Sequence, residues 1–98
     1  MIEVNISHSW QNYLMDLKGH ARTEMDGSPE VCAAASALAF ALAEWTIANV
    51  PAAQINYTET DGRMFLSAYG QNCAQAWAVA ETGFRQLADA HPEYVKMI

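Results

Sequence analysis

Two short runs at the start of the chain alternate between apolar and polar residues. In residues 1–7, Ile2, Val4 and Ile6 fall on one side and Glu3 and Asn5 on the other, and residues 13–18 again place a large apolar side chain at every second position. Successive side chains of a strand point to opposite faces, so this alternation predicts two half-buried strands. A short polar segment separates them, and we expect the two strands to pair as an antiparallel hairpin.

The next patterned segment is a long apolar run that begins with residues typical of a helix start. Ser28 suits the N-cap position, Pro29 the first helical position and Glu30 the positive end of the helix dipole. Alanines dominate the following residues, which favours a helix that continues to about Ala48 and ends before Pro51. The predicted core stripe of this helix consists of Val31, Leu38, Leu42 and Trp45.

This helix carries apolar residues on almost every side, because Phe40 and Ile47 lie partly off the stripe and alanines fill much of the rest. A helix that is apolar all round needs cover on more than one face. In a chain of 98 residues we expect the second cover to be another subunit, and this is a physical reason to predict a homodimer.

The second half of the chain repeats the order strand, strand, helix. Residues 54–58 and 63–69 alternate again, and Asp61 and Gly62 between them are typical of a hairpin turn. Residues 72–91 predict a second helix, in which Gly83 indicates close packing, and residues 93–98 predict an edge strand or a dimer contact. The core face of that helix is expected to comprise Cys73, Ala76, Trp77, Ala80, Phe84 and Leu87.

The order of these elements predicts an α+β fold of the form ββαββα. Two β-hairpins form an antiparallel or mixed sheet, and two helices pack on it. The length leaves room for one domain, residues 1–98, with a single modest core.

Charge and composition exclude several kinds of partner. The net charge is −6 with five Lys and Arg residues, which argues against nucleic-acid binding through a basic surface. The N-terminus lacks the basic and apolar regions of a signal peptide. The most apolar run, residues 31–42, is too short to cross a bilayer. We therefore expect a cytoplasmic protein that does not enter membranes and whose thiols stay reduced.

The candidate chemistry lies in residues 19–36. Gly19 and His20 follow the second predicted strand, and Cys32 lies in the first turns of the long helix. A helix N-terminus and a nearby imidazolium both stabilise a thiolate, so this segment could supply a nucleophile. On spacing alone, a small core residue is the better interpretation of Cys32. No metal or cofactor is expected, because the Cys and His residues lack ligand spacing and no glycine-rich phosphate loop is present.

Three segments resemble the ribosomal-processing cysteine protease family, Prp. They are the Gly-His-Ala at residues 19–21, the Val-Cys-Ala-Ala-Ala-Ser-Ala-Leu at residues 31–38, and the His-Pro-Glu-Tyr-Val-Lys at residues 91–96. The resemblance covers essentially the whole chain. It implies that His20 is the catalytic histidine and Cys32 the nucleophile, with Gly19 and Ser36 in supporting positions. The hydroxyl of Ser36 would either bond a carbonyl of the preceding turn or hold His20 or the substrate.

The function that this resemblance implies is endopeptidase activity. Members of the family remove a short N-terminal extension from a large-subunit ribosomal protein, cutting after aromatic residues, and they are homodimers. The peptide would lie in a groove near the two catalytic residues, where an extended segment can add to a sheet edge. The alternative is a catalytically silent dimeric interaction module with the same fold.

One departure from the family pattern favours that alternative. The family usually carries Asp three residues before the cysteine, and this chain has Pro29 there. Candidates for the vacant role are Asp26, Glu24 and Glu30. A carboxylate at Glu30 would also oppose formation of a thiolate nearby. We expect backbone N–H groups at the helix start, which are unsatisfied in an isolated helix, to bind the oxyanion of an acyl-transfer reaction.

Overall fold

Two hairpins, two helices and a short last strand make up the part of the chain that the computed structural model describes, residues 1–19, 28–58 and 62–98. This order confirms the predicted ββαββα fold and adds the expected strand at the end. The elements are β1 (Ile2–Ser9), β2 (Asn12–Lys18), α1 (Pro29–Asn49), β3 (Gln54–Thr58), β4 (Arg63–Tyr69), a 3-10 turn (Gln71–Cys73), α2 (Ala74–Ala90) and β5 (Val95–Met97).

The strands form one mixed sheet in the order β3-β4-β2-β1-β5. Both predicted hairpins are present, and β2 pairs antiparallel with β4 to join them. The last strand pairs parallel with β1, from Ile2 opposite Val95 to Val4 opposite Met97. Helix α2 leads the chain from β4 to β5, at the edge of the sheet next to β1.

The predicted alternation matches the burial of the strands. One face of the sheet packs under the helices, and the opposite face is more exposed, as expected for a sheet covered on one side. The buried side chains of β1, β2 and β4 are Ile2, Val4, Met15, Leu17, Met64, Leu66 and Ala68.

Helix α1 starts and stops where the sequence predicts. The Ser28 hydroxyl accepts a hydrogen bond from the Val31 N–H at 3.3 Å, and Pro29 occupies the first helical position. The face turned to the core differs from the predicted stripe, because it is built mostly from small residues. Leu38 and Trp45 of that stripe are only partly buried. The buried residues of α1 are Val31, Cys32, Ala35, Ala39, Leu42, Ala43 and Thr46.

The two helices pack closely through a glycine and a buried hydrogen bond. A Cβ at Gly83 would lie 2.8 Å from Cδ2 of Leu38, so a side chain there would displace that leucine, and the predicted close packing is confirmed. A second contact joins the same helices: the Trp77 indole N–H donates to the Thr46 hydroxyl at 3.1 Å, and both side chains are buried. The bond satisfies two polar groups inside an otherwise apolar layer.

The length of α1 corrects the expectation that the apolar run is too short for a bilayer. The helix has 21 residues and, by length and composition alone, it is long and apolar enough to cross a membrane. It runs beyond residue 42, because Glu44 lies on an exposed side and does not interrupt it. Core helices of globular proteins pass the same test, and the buried face of α1 is packed in the core cluster with the sheet and α2.

Candidate active site

Cys32 is the fourth residue of α1, in the N-terminal turn where the sequence places it. Its side chain is 5% exposed and belongs to the core cluster under the helix. Its backbone N–H donates to the Ser28 carbonyl at 3.1 Å, which closes the first turn of the helix. The thiol therefore lies at the inner side of a well-capped helix start.

The sheet topology determines which end of the sheet lies near the start of α1. Strand β2 ends at Lys18, which pairs with Arg63 at the start of β4, and Thr58 at the end of β3 pairs with the same residue. The C-terminus of α1 leads into the other end of β3. A helix of 21 residues spans about 31 Å, enough to return along the whole sheet. The start of α1 and the end of β2 consequently lie at one end of the molecule.

Gly19 fixes the point where the chain leaves β2. Its φ is +92°, a conformation that favours glycine, and its N–H donates to the Gly62 carbonyl at 2.6 Å. A Cβ at this position would lie 2.6 Å from the backbone oxygen of Met1. Both the conformation and the close approach require glycine at this position.

Of the predicted site residues His20 and Ser36, the structure describes only Ser36. His20 lies outside the described residues, as do the candidates Glu24 and Asp26, so the pairing of His20 with Cys32 stays a prediction. Ser36 is half-buried one turn beyond Cys32 on the same helix. The two alternatives for its hydroxyl, a bond to a carbonyl of the preceding turn or a contact with His20 or the substrate, stay predictions.

Two backbone N–H groups at the start of α1 are already engaged, so these two are not available to bind an oxyanion. Pro29 has no N–H, Val31 donates to the Ser28 hydroxyl and Cys32 donates to the Ser28 carbonyl. The exposed carboxylate of Glu30 accepts from the Ser28 hydroxyl at 2.8 Å. The hydrogen bond from Ser28, and to a smaller extent the polar backbone of Glu30 itself, lower the pKa of this carboxyl below its usual value. The Ser-x-Glu spacing was the sequence signal for this arrangement.

The second thiol lies in a different setting. Cys73 is the N-cap residue of α2 and is completely buried, and burial raises the pKa of its thiol. The neighbouring Asn72 side chain donates to the Asn49 carbonyl at 3.2 Å, which places Cys73 near the C-terminal end of α1. Because Cys32 lies at the other end of that helix, the two cysteines are remote from one another, and both are thiols.

An aromatic pair joins α1 to the edge strand on the side of Ser36. The rings of Phe40 and Tyr57 meet edge to face, with their centroids 5.2 Å apart. The sequence pattern places Phe40 partly off the predicted core stripe of α1. It places Tyr57 in a predicted strand. Only the tertiary structure brings them together, since no local pattern relates residues so far apart in the chain.

Comparison with known proteins gives one family. The family model described as cysteine protease Prp matches residues 1–96. No curated protein matches the chain in sequence. Among solved structures, the essential ribosomal processing protease Prp from S. aureus in complex with a substrate peptide superposes with a TM-score of 0.79 at 22% identity, over 100% of this chain and 98% of that chain.

Two further crystal structures share the fold. The protein SMU.848 from Streptococcus mutans has a TM-score of 0.80 at 21% identity, and the alignment covers 99% of this chain and 91% of that one. The S. aureus Prp with a covalently linked product peptide has a TM-score of 0.75 at 20% identity, over 99% and 97% of the two chains.

Proposed function

Because the chain belongs to the cysteine protease Prp family and is therefore a cysteine protease, we propose that it removes the N-terminal extension of a large-subunit ribosomal protein. The observation that carries the proposal is Cys32 at the capped start of α1, at the sheet end where Gly19 leads into His20. Two structures with the same fold are described as ribosomal processing proteases, one with a substrate peptide and one with a covalently linked product peptide. We place the activity in the cytoplasm, where a thiol stays reduced.

The proposed reaction is acyl transfer through Cys32. The Sγ thiolate attacks the peptide carbonyl, and His20, which holds the thiol proton, gives it to the leaving amine as the C–N bond breaks. Water then hydrolyses the thioester, and its proton returns through His20 to the thiol. Gly19 contributes by fixing the backbone immediately before His20, since no other residue fits its conformation.

The proposed donor to the oxyanion of the tetrahedral intermediate is the backbone N–H of Glu30, in the first turn of α1.

Cleavage of a purified ribosomal protein that carries its N-terminal extension tests the proposal. We expect wild-type protein to make one cut, detected by mass spectrometry, and the Cys32→Ala variant to make none. Absence of a cut by folded wild-type protein would contradict ribosomal processing. Iodoacetamide labelling then separates two explanations: selective labelling of Cys32 indicates a protease with another peptide substrate, and its absence indicates the silent interaction module.

We also propose that the protein is a homodimer that uses the outer groove between α1 and α2. The groove is almost entirely apolar, and at its rim Val79 is 72% exposed. It lies on the side of α1 that the sheet does not cover, where the apolar helix needs a second partner. The groove is lined by Leu38, Ala41, Leu42, Trp45, Ala76, Val79 and Ala80.

Light scattering coupled to size exclusion tests the dimer. We expect twice the chain mass for wild-type protein and the chain mass for Val79→Glu, since a carboxylate in an apolar contact is left unpaired. Tyr69→Glu is the matched control, because Tyr69 is 51% exposed on β4 and is not among the residues that line the groove. An unchanged mass for Val79→Glu would rule out this groove as the interface.

A further inference from the structure

Large apolar side chains are exposed together where α1 meets the edge strand β3. Phe40 is 39% exposed, Ile47 50%, Ile55 40% and Tyr57 38%. We call these four residues the helix–strand flank. They are four of the nine large apolar side chains that are this exposed in the described parts of the chain, so the exposure is concentrated here. Phe40 and Tyr57 contact each other across the helix and the strand, and an exposed apolar patch is typical of a binding site.

The flank is continuous with the candidate active site. At 100° per residue, Ser36, Phe40 and Ile47 fall on one side of α1, next to the face that carries Cys32. Phe40 lies two turns beyond Cys32, about 12 Å along the helix axis. An extended peptide covers that distance in about four residues. A peptide cut at Cys32 would therefore reach the flank with residues close to the scissile bond.

The strand that borders the flank has an open edge. β3 is the first strand in the sheet order, and it pairs with β4 on one side, with no described strand on the other. Natural edge strands are usually protected by charged residues or proline, and Gln54–Thr58 contains neither. An unprotected edge next to apolar side chains is typical of surfaces that take up an added strand.

The alternation of the edge strand determines which side chains a peptide would meet. Ile55 pairs with Leu66 and Tyr57 with Met64, both buried under the helices, so Ile55 and Tyr57 lie on the helix side of the sheet. A peptide strand added to this edge would turn every second side chain to the same side. Those side chains would contact the flank, and the ones between them would face solvent.

We propose that the helix–strand flank docks an extended peptide that adds to β3 and places large apolar side chains at alternate positions against Phe40, Tyr57, Ile47 and Ile55. The proposal rests on the protease function proposed above and names the surface on which the substrate is held. A peptide fits better here than a second copy, because the flank leads to Cys32 and the proposed dimer groove lies on the other side of α1.

Peptide binding to the Cys32→Ala variant measures docking without cleavage. The probe is a fluorescein-labelled synthetic peptide with phenylalanine and leucine at alternate positions, compared with a version in which serine replaces them. In the Cys32→Ala protein, we expect the additional substitutions Phe40→Ala and Tyr57→Ala each to weaken binding of the apolar peptide about tenfold. Both should leave the weak binding of the serine peptide unchanged. Phe40→Leu should restore most of the affinity because it keeps apolar bulk.

Tyr69→Ala is the matched control for these variants. Tyr69 is 51% exposed on β4, at the opposite end of the sheet from the start of α1, and its loss should change neither binding nor folding. Thermal unfolding of every variant separates a lost contact from a lost fold. Equal affinity of Phe40→Ala, Tyr57→Ala and Tyr69→Ala for the apolar peptide would overturn the proposal, and so would absence of binding to the Cys32→Ala protein.

The outcomes also separate this inference from the protease function. Cleavage by wild-type protein with unchanged kcat/KM in Phe40→Ala would leave the protease in place and refute the docking surface. Flank-dependent binding without cleavage would support docking and count against catalysis. Loss of the dimer in Phe40→Ala with unchanged peptide affinity would assign the flank to a second copy and refute the proposal.

Discussion

The two cysteines of this protein make a close comparison, because each lies at the start of a helix and each is buried. Cys73 is the N-cap of α2, has no exposed surface, and has a raised pKa because of burial. Cys32 lies at the start of α1, 5% exposed, at the sheet end where β2 leads into the segment that contains His20. Proximity to a helix N-terminus is thus common to both thiols and does not distinguish them.

The difference lies in what each helix start adjoins. The start of α2 is packed beside the C-terminal end of α1, where Asn72 bonds the Asn49 carbonyl. The start of α1 is capped by Ser28, whose hydroxyl also donates to the exposed Glu30 carboxylate, and the helix–strand flank begins two turns farther along the helix. A thiol becomes useful for catalysis only where a partner and a substrate can reach it.

Exchange of the two thiols for serine should give the largest contrast. Cys32→Ser should lower kcat/KM at least about a thousandfold, since a hydroxyl is a far weaker nucleophile and the acyl-enzyme is lost. Cys73→Ser should keep kcat/KM while it lowers the free energy of unfolding by about 1–3 kcal/mol, because the new hydroxyl is buried without a partner. Peptide cleavage and urea unfolding measure the two effects. Similar losses of kcat/KM in Cys32→Ser and Cys73→Ser would contradict a specific catalytic role of Cys32.

Strain at Gly19 should reduce activity without touching either thiol. Gly19→Ala forces a Cβ against the Met1 carbonyl and a residue other than glycine into positive φ. We expect a loss of about 2 kcal/mol or more in the free energy of unfolding and a lower kcat/KM, because the backbone before His20 must move. Lys18→Ala, at the exposed end of β2, is the control and should change stability by less than about 0.5 kcal/mol. Unchanged stability in Gly19→Ala would contradict the close approach.

The pH dependence of alkylation should sharpen the comparison further. The folded-state pKa of Cys73 is above its ordinary value of 9.0, so this thiol stays protonated and unreactive at neutral pH and for some distance above pH 9.0. Because the unfolded chain loses this proton first, the stability that burial of the neutral thiol contributes is full below 9.0 and falls as the pH rises through the folded pKa. Cys73→Ala should remove that alkaline loss, as measured by urea unfolding. Alkylation of Cys73 at the rate of Cys32 at neutral pH would contradict this.

Removal of the charge at Glu30 should give the smallest effect. Glu30→Gln keeps the size of the side chain and removes a negative charge near the start of α1, which favours a thiolate there. We expect severalfold faster alkylation of Cys32 at neutral pH and no change at Cys73, measured by peptide mapping. Glu44→Gln, farther along α1 on an exposed side, is the charge-matched control. Equal effects of the two substitutions would mean that Glu30 has no particular influence on the thiol.

Much of the fold could be predicted from local signals. Ser28 and Pro29 mark the start of α1 by capping chemistry, and the strands follow from strict alternation. Gly83 indicated close helix packing, which the contact with Leu38 confirms. The buried face of α1 could not be predicted, because a helix that is apolar all round has no periodicity to select a side.

The candidate site was predictable to a smaller extent. The resemblance to a protease family points to His20, Cys32, Gly19 and Ser36. The structure places Cys32 and Gly19 at one end of the sheet, and because His20 lies outside the described residues, the catalytic pairing stays a prediction. The engagement of the Val31 and Cys32 N–H groups by Ser28 was not predicted, since the capping pattern indicates only a helix start. Contacts such as Phe40 with Tyr57 depend on the sheet order, which the sequence does not specify.

Trapping of the nucleophile by a substrate-like reagent tests the central claim most directly. A peptide chloromethyl ketone with an apolar residue next to the reactive group alkylates the thiolate that attacks it, and chloride leaves. We predict one adduct per chain, mapped by mass spectrometry to Cys32, formed faster than in unfolded protein and suppressed by excess peptide substrate. Slow labelling of Cys32 at the rate of Cys73, unaffected by the peptide, would contradict the assignment of Cys32 as the nucleophile.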